Sequence, residues 1–98
     1  MDIDKIVNSL MELGNTKKEI ADKLKEMGCK GVRNSLASCP IAIFLFKQDV
    51  YARVFADTIR LWPKEALTIR SPELLRTPKP ICDFVYHFDD GDFPELEV

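Results

Sequence analysis

Six consecutive apolar residues, Ile41 to Phe46, follow directly on Cys39 and Pro40 in the run SLASCPIAIFLFK, residues 35–47. This is the longest apolar run in the chain. At this length periodicity alone does not separate a buried strand from a buried helix. Pro40 decides the reading. Proline suits the first helical position, where its missing N–H is not needed, and the residue before it serves as the cap. Leu36 and Ala37 extend the apolar character upstream, and Lys47 and Gln48 close it. The segment 35–47 therefore reads as one central helix, with an irregular first turn as the alternative, apolar nearly all round, on which the other elements must pack. It is far short of the roughly 18 residues a membrane span requires.

The rest of the chain supplies those other elements. Ile3, Ile6, Val7, Leu10 and Met11 follow a helical stripe over residues 2–13, which Gly14 stops. TKKE at 16–19 is a capping box for a second helix, with Ile20, Ala21, Leu24 and Met27 as its buried face. Gly28 ends that helix in the turn GCKG, and the short joint at Gly14 and Asn15 favours an antiparallel or steeply crossed helix pair. VYARVF (50–55), TIRLW (58–62) and LTIR (67–70) are β-branched and aromatic-rich, and read as a small antiparallel meander. Three prolines mark 71–80 as a connector, with Leu74 and Leu75 as the residues that would pin it to the core. Thr77 and Pro78 form a cap and first position for a last helix carrying Ile81, Phe84, Val85 and Phe88, stopped by Gly91, with Phe93, Pro94 and Leu96 able to fold back.

The expected architecture is thus a single α+β domain over 1–98. It comprises a helical part (2–48), a β meander (50–70), a connector (71–77), a C-terminal helix (78–90) and a tail (91–98). Ninety-eight residues suffice for one modest core, burying roughly 60–70% of the unfolded surface. The acidic, amphipathic start MDIDKIVNSL does not read as a secretory leader. Three cysteines, an odd number, point to free thiols and the cytoplasm.

Chemistry-bearing groups are sparse. Cys39 stands at a helix start, where a thiol can ionise more readily, yet a nucleophile needs a base. The single histidine, His87, lies off the apolar stripe of its helix and pairs in this reading with Asp83 four residues earlier. Cys39 then reads as a small, covered cap, and no catalytic residue is assigned. Cys29, Cys39, Cys82 and His87 lack the close ligand pairs of a structural zinc site, with nine, forty-two and four residues between them. The acidic stretch FDDGDFPEL does not follow the ligand spacing of a calcium loop. No metal and no cofactor is expected.

Charge is distributed unevenly. Residues 15–35 hold six basic side chains against three acidic, and residues 83–98 hold six acidic and neither Lys nor Arg. Lys17, Lys18, Lys30 and Arg33 are the candidates for phosphate contacts. The surrounding KKEIADKLKEMGCKGVRNSL resembles a helix-turn-helix, but Gly28 comes seven residues after Ala21 rather than four. Its second helix would also carry CPIAIFLF, where a reading helix needs exposed polar groups. Nucleic acid is therefore the second choice. Phe44, Phe46 and Trp62 are the candidates for an uncovered apolar contact patch.

Two motifs carry a resemblance. SxxSCPIAxxL (Ser35 to Leu45) and FVxxFDxGxxPEL (Phe84 to Leu96) are similar to segments in a group of small, mostly uncharacterised proteins of actinobacteria and their phages. The resemblance implies a helical pair, a short β segment and a closing helix, and a phage or mobile-element setting. It implies no activity, and Phe44 and Phe93 stand where the group carries tyrosines. The function expected is that of a small non-enzymatic, cytoplasmic binding or regulatory protein acting through protein contacts or self-association. DNA binding by the basic first third, or capture of a host factor or nucleotide-type signal in a cleft near Lys17, Lys30 and Arg33, are the alternatives.

Overall fold

The computed structural model describes residues 2–64 and 71–98. Among these residues four α-helices and a three-stranded antiparallel sheet enclose one core, an α+β fold as expected. Helix α1 (Ile3–Met11) begins where the Asp2 carboxylate accepts from the Lys5 N–H at 3.2 Å, and it buries Ile6 and Leu10. Helix α2 (Lys17–Glu26) starts at Thr16, whose hydroxyl accepts from the Glu19 N–H. The Glu19 carboxylate reaches back one residue further than a capping box requires, accepting from the Asn15 N–H at 2.8 Å. Ile20, Ala21 and Leu24 are buried, and α2 packs chiefly on the last helix rather than on α1.

The central helix is shorter than the sequence suggests. Helix α3 spans Pro40–Phe46, and the preceding residues are non-helical, with a turn at 36–38. The cause is Pro40 itself. Its ring disfavours helical geometry in the residue before it, and Cys39 is extended, with ψ 163°. Further back, Asn34 adopts φ +59°, so the chain enters through a sharp bend. Ile41, Ala42, Phe44 and Leu45 are buried, and α3 lies against the first strand.

Strands β1 (Val50–Val54) and β2 (Thr58–Pro63) form a hairpin whose two-residue loop, Ala56 and Asp57, is closed by Phe55 N–H donating to the Thr58 carbonyl at 2.8 Å. The strand expected at 67–70 lies outside the described residues. The third strand of the sheet, β3 (Glu73–Arg76), pairs antiparallel with β2 and occupies the stretch expected to be a connector. A four-residue edge strand with Leu75 alone facing inward carries too little periodicity to be read from sequence.

Helix α4 (Lys79–Asp89) is capped by Pro78, not Thr77. Thr77 is buried instead, its N–H donating to the Asp57 carbonyl at 3.1 Å and its hydroxyl to the Phe55 carbonyl at 3.5 Å. The hairpin loop thus holds Thr77 as a continuation of β3. Beyond α4 the tail does fold back. Phe93 stacks on Phe84 at 5.3 Å, a 3-10 turn (Pro94–Leu96) buries Leu96 completely, and Glu97 forms a parallel bridge with Gly31. Gly31 is wedged there: a Cβ would fall 2.3 Å from the Ser38 carbonyl oxygen and 2.6 Å from the Cys39 carbonyl carbon. No helix among the described residues is long and apolar enough to cross a membrane.

Candidate functional site

Strand pleating turns alternate side chains to opposite faces, and burial shows which face is which. Val50, Ala52, Val54, Ile59, Leu61 and Leu75 enter the core. The other face carries Tyr51 and Arg53 from β1, Thr58, Arg60 and Trp62 from β2, and Leu74 and Arg76 from β3. Register sets their neighbours. Tyr51 stands opposite Trp62, Arg53 opposite Arg60, Arg60 opposite Leu74, and Thr58 opposite Arg76. Arg53, Arg60 and Arg76 are exposed, and Leu74 is 65% exposed.

This face has a distinct chemistry. The Tyr51 and Trp62 rings lie 5.6 Å apart, tilted at 60°, and both are half-buried. The Arg60 guanidinium sits 4.8 Å above the Phe55 ring, a cation–π contact at the hairpin end. None of the seven outward strand positions is acidic. Among the described residues, none of the three guanidiniums has a carboxylate within ion-pair distance. Asp57, in the hairpin turn, borders the face at its Arg76 end, where an open cleft runs to the start of α4.

The candidates named from sequence are placed less coherently. Phe44 is core, 5% exposed, so it contributes nothing to a surface patch. Phe46 is 44% exposed with the Lys64 ammonium 4.1 Å over its ring, and Lys64 lies two residues beyond Trp62. Phe46 and Trp62 therefore share one end of the sheet. Lys17 and Arg33 are turned toward the acidic end of the chain: the Arg33 guanidinium meets Glu97 at 3.1 Å and lies across Gly91, and the Lys17 ammonium is 3.2 Å from His87 Nε2. Lys18 pairs with Asp22 on an exposed helix face at 3.5 Å, and Lys30 is exposed in the loop after α2.

His87 does not pair with Asp83, which lies 3.6 Å from Lys79 instead. Gly91 takes φ +88°, folding the chain so that the Asp92 N–H bonds the His87 carbonyl. That places the Asp92 carboxylate 2.6 Å from Nδ1. An ammonium can only donate, so Nε2 accepts from Lys17 and the ring proton rests on Nδ1, facing Asp92. Neither nitrogen is left for a substrate in this arrangement.

Cys29 and Cys39 are buried, and Cys82 is half-buried. Cys39 is 3% exposed, and burial pushes its thiol up to about 11, against smaller lowering by the Ala42 and Ile41 backbone. Burial also raises Cys29, partly offset by the Lys47 ammonium. Among the described residues no group of three or more His, Cys, Asp or Glu side chains is arranged to hold a metal ion.

The arginine face was the feature that sequence reasoning missed. Its signal was present, since in VYARV and TIRLW the arginines alternate with apolar residues, which marks them as outward. What pairs Arg53 with Arg60 is register, which only the folded chain displays. A comparison of the chain with protein-family models, with curated proteins and with solved structures finds no match.

Proposed function

We propose that this chain is a non-enzymatic binding protein whose recognition surface is the outer face of the sheet. One observation carries the reading: Arg53 directly opposes Arg60 on a face that also presents the Tyr51–Trp62 pair. Like charges in opposed strand positions are destabilising, and an anionic ligand would remove that repulsion. Aromatic rings and arginine are also the side chains that dominate binding surfaces generally. Trp62 keeps the role expected for it, and Phe46 falls at the rim rather than the centre. The inaccessible Cys39 thiol and the engaged His87 ring support a function without covalent chemistry. On this reading the protein works in the reducing cytoplasm, which three unpaired thiols favour. The phage or mobile-element setting belongs to the same proposal and rests on the motif resemblance alone.

The test is retention from a bacterial lysate on the immobilised chain, comparing wild type with Arg53→Thr/Arg60→Thr. A species held at low salt by the wild type, released by added salt and absent from a folded variant is the expected result. Equal retention by both, or by neither, overturns the proposal.

A further inference from the structure

We infer that the ligand of the sheet face is single-stranded nucleic acid, lying across the strands with its phosphates on the arginines and a base against Trp62. This rests on the preceding proposal that the face is the recognition surface. Four features of the face point to this occupant.

Every basic side chain on the outward strand positions is arginine, although the chain holds nine lysines and five arginines. A guanidinium is planar, forks onto phosphate oxygens and stacks on flat rings, which an ammonium does not. The three arginines also form a line. Arg53 and Arg60 are directly opposed, with Cβ atoms about 5 Å apart, and Arg76 is the diagonal neighbour of Arg60 at about 7–8 Å. They cross β1, β2 and β3 in turn, a path suited to a polyanion rather than to one anion.

The aromatic pair lies beside that line, one pleat along from the opposed arginines on the same two strands. Base stacking on such rings is the sequence-tolerant half of single-strand binding, and a cationic track is the other half. An acidic peptide would use the arginines and offer nothing planar to stack beside the aromatic pair. The shape of the face argues against a duplex. Major-groove readers insert a helix or a two-stranded ribbon, whereas this face is the broad side of a sheet with no element standing out from it among the described residues. The overall charge of −2 does not oppose the assignment, because six acidic residues fall within 83–98 and none on the outward strand positions.

Trp62 is the only tryptophan, so intrinsic emission reports from the site. The experiment titrates the purified chain with short oligothymidylate and oligouridylate, following that emission and the anisotropy of end-labelled oligonucleotide at several salt concentrations. Quenching of Trp62 is expected, with log affinity falling against log salt at a slope of about −2, as three phosphate contacts on a single strand require. Arg53→Thr/Arg60→Thr should weaken binding at least tenfold and bring the slope to about −0.7. Arg53→Lys/Arg60→Lys, which keeps the charge, should retain the slope with weaker affinity. The matching duplex should bind at least tenfold more weakly than the single strand.

No binding up to about 100 µM protein at low salt, the weak end of non-specific affinities, overturns the inference. So does binding that the arginine variants leave unchanged, or equal affinity for duplex. If polyglutamate quenches Trp62 and the oligonucleotides do not, the occupant is an acidic protein: the inference fails and the recognition surface stands. If lysate retention is also insensitive to the arginine variants, the surface itself is wrong.

Discussion

Arg53 of β1 and Arg60 of β2 face each other across the hairpin, and only one of them has local compensation. The Arg60 guanidinium rests on Phe55 at 4.8 Å, while Arg53 has no ion pair among the described residues. The two positions should therefore respond differently to substitution. Arg53→Thr relieves the repulsion and introduces a good strand former, so it should raise stability by about 0.2–1 kcal/mol. Arg60→Thr relieves the same repulsion but loses a cation–π contact of about 0.5–1 kcal/mol, leaving stability near that of the wild type. Urea denaturation of both variants checks this; destabilisation by Arg53→Thr would show that the opposed charges carry no strain.

The packing of the tail around Gly31 predicts two costly changes. In Gly31→Ala the added carbon meets backbone of residues 38 and 39, which cannot rotate aside as a flexible side chain would. The loss should be at least about 1–3 kcal/mol. Leu96→Ala empties a fully buried site and should cost about 2–5 kcal/mol. Thermal unfolding of each single variant is the measurement, and a neutral Gly31→Ala would mean that the backbone of residues 38–40 shifts away from Gly31 at little cost.

Cys39 makes stability depend on alkaline pH. Its thiol ionises near 9.0 when unexposed to burial and at about 11 in the fold. The folded chain thus holds the proton more tightly, and the unfolded chain releases it first as pH rises. Stability from this group is complete below pH 9.0 and is lost progressively toward pH 11, up to about 3 kcal/mol in all. The readout is the difference between wild type and Cys39→Ala in unfolding free energy against pH. The wild type should fall more steeply above pH 9. Below that window a bulky thiol reagent should modify half-buried Cys82 well before Cys29 or Cys39.

The ion pair between Arg33 and Glu97 joins distant parts of the chain but remains partly exposed, with side-chain accessibilities of 46% and 30%. A double-mutant cycle with Arg33→Ala and Glu97→Ala should return a coupling of no more than about 1 kcal/mol, diminished by added salt. A larger coupling would place the tail's attachment in this pair rather than in Leu96.

Helices with a complete local signal were legible in the sequence. Thr16 and Glu19 gave the start of α2, and the stripe from Ile81 to Phe88 gave α4. Errors arose where a partner outside the helix decided the outcome. Thr77 looks like a cap until Phe55 and Asp57 draw its polar groups to the hairpin. His87 matches Asp83 by helical spacing until the turn at Gly91 brings Asp92 closer. Pro40 was a legible helix start, and the error there was to extend the helix through Cys39 against the proline's own steric demand. The candidate surface was half legible: alternation marked Tyr51, Arg53, Arg60 and Trp62 as outward, but strand register made them a group.

The bridge between Gly31 and Glu97 also governs how the molecule comes into being. During synthesis α2, α3 and the sheet all emerge while the N–H and C=O of Gly31 still lack the Leu96 carbonyl and Val98 N–H that later satisfy them. The cavity that Leu96 fills stays open just as long. A nascent chain therefore cannot complete its interior until the tail has emerged, and until then its half-built centre is what a chaperone or protease would meet.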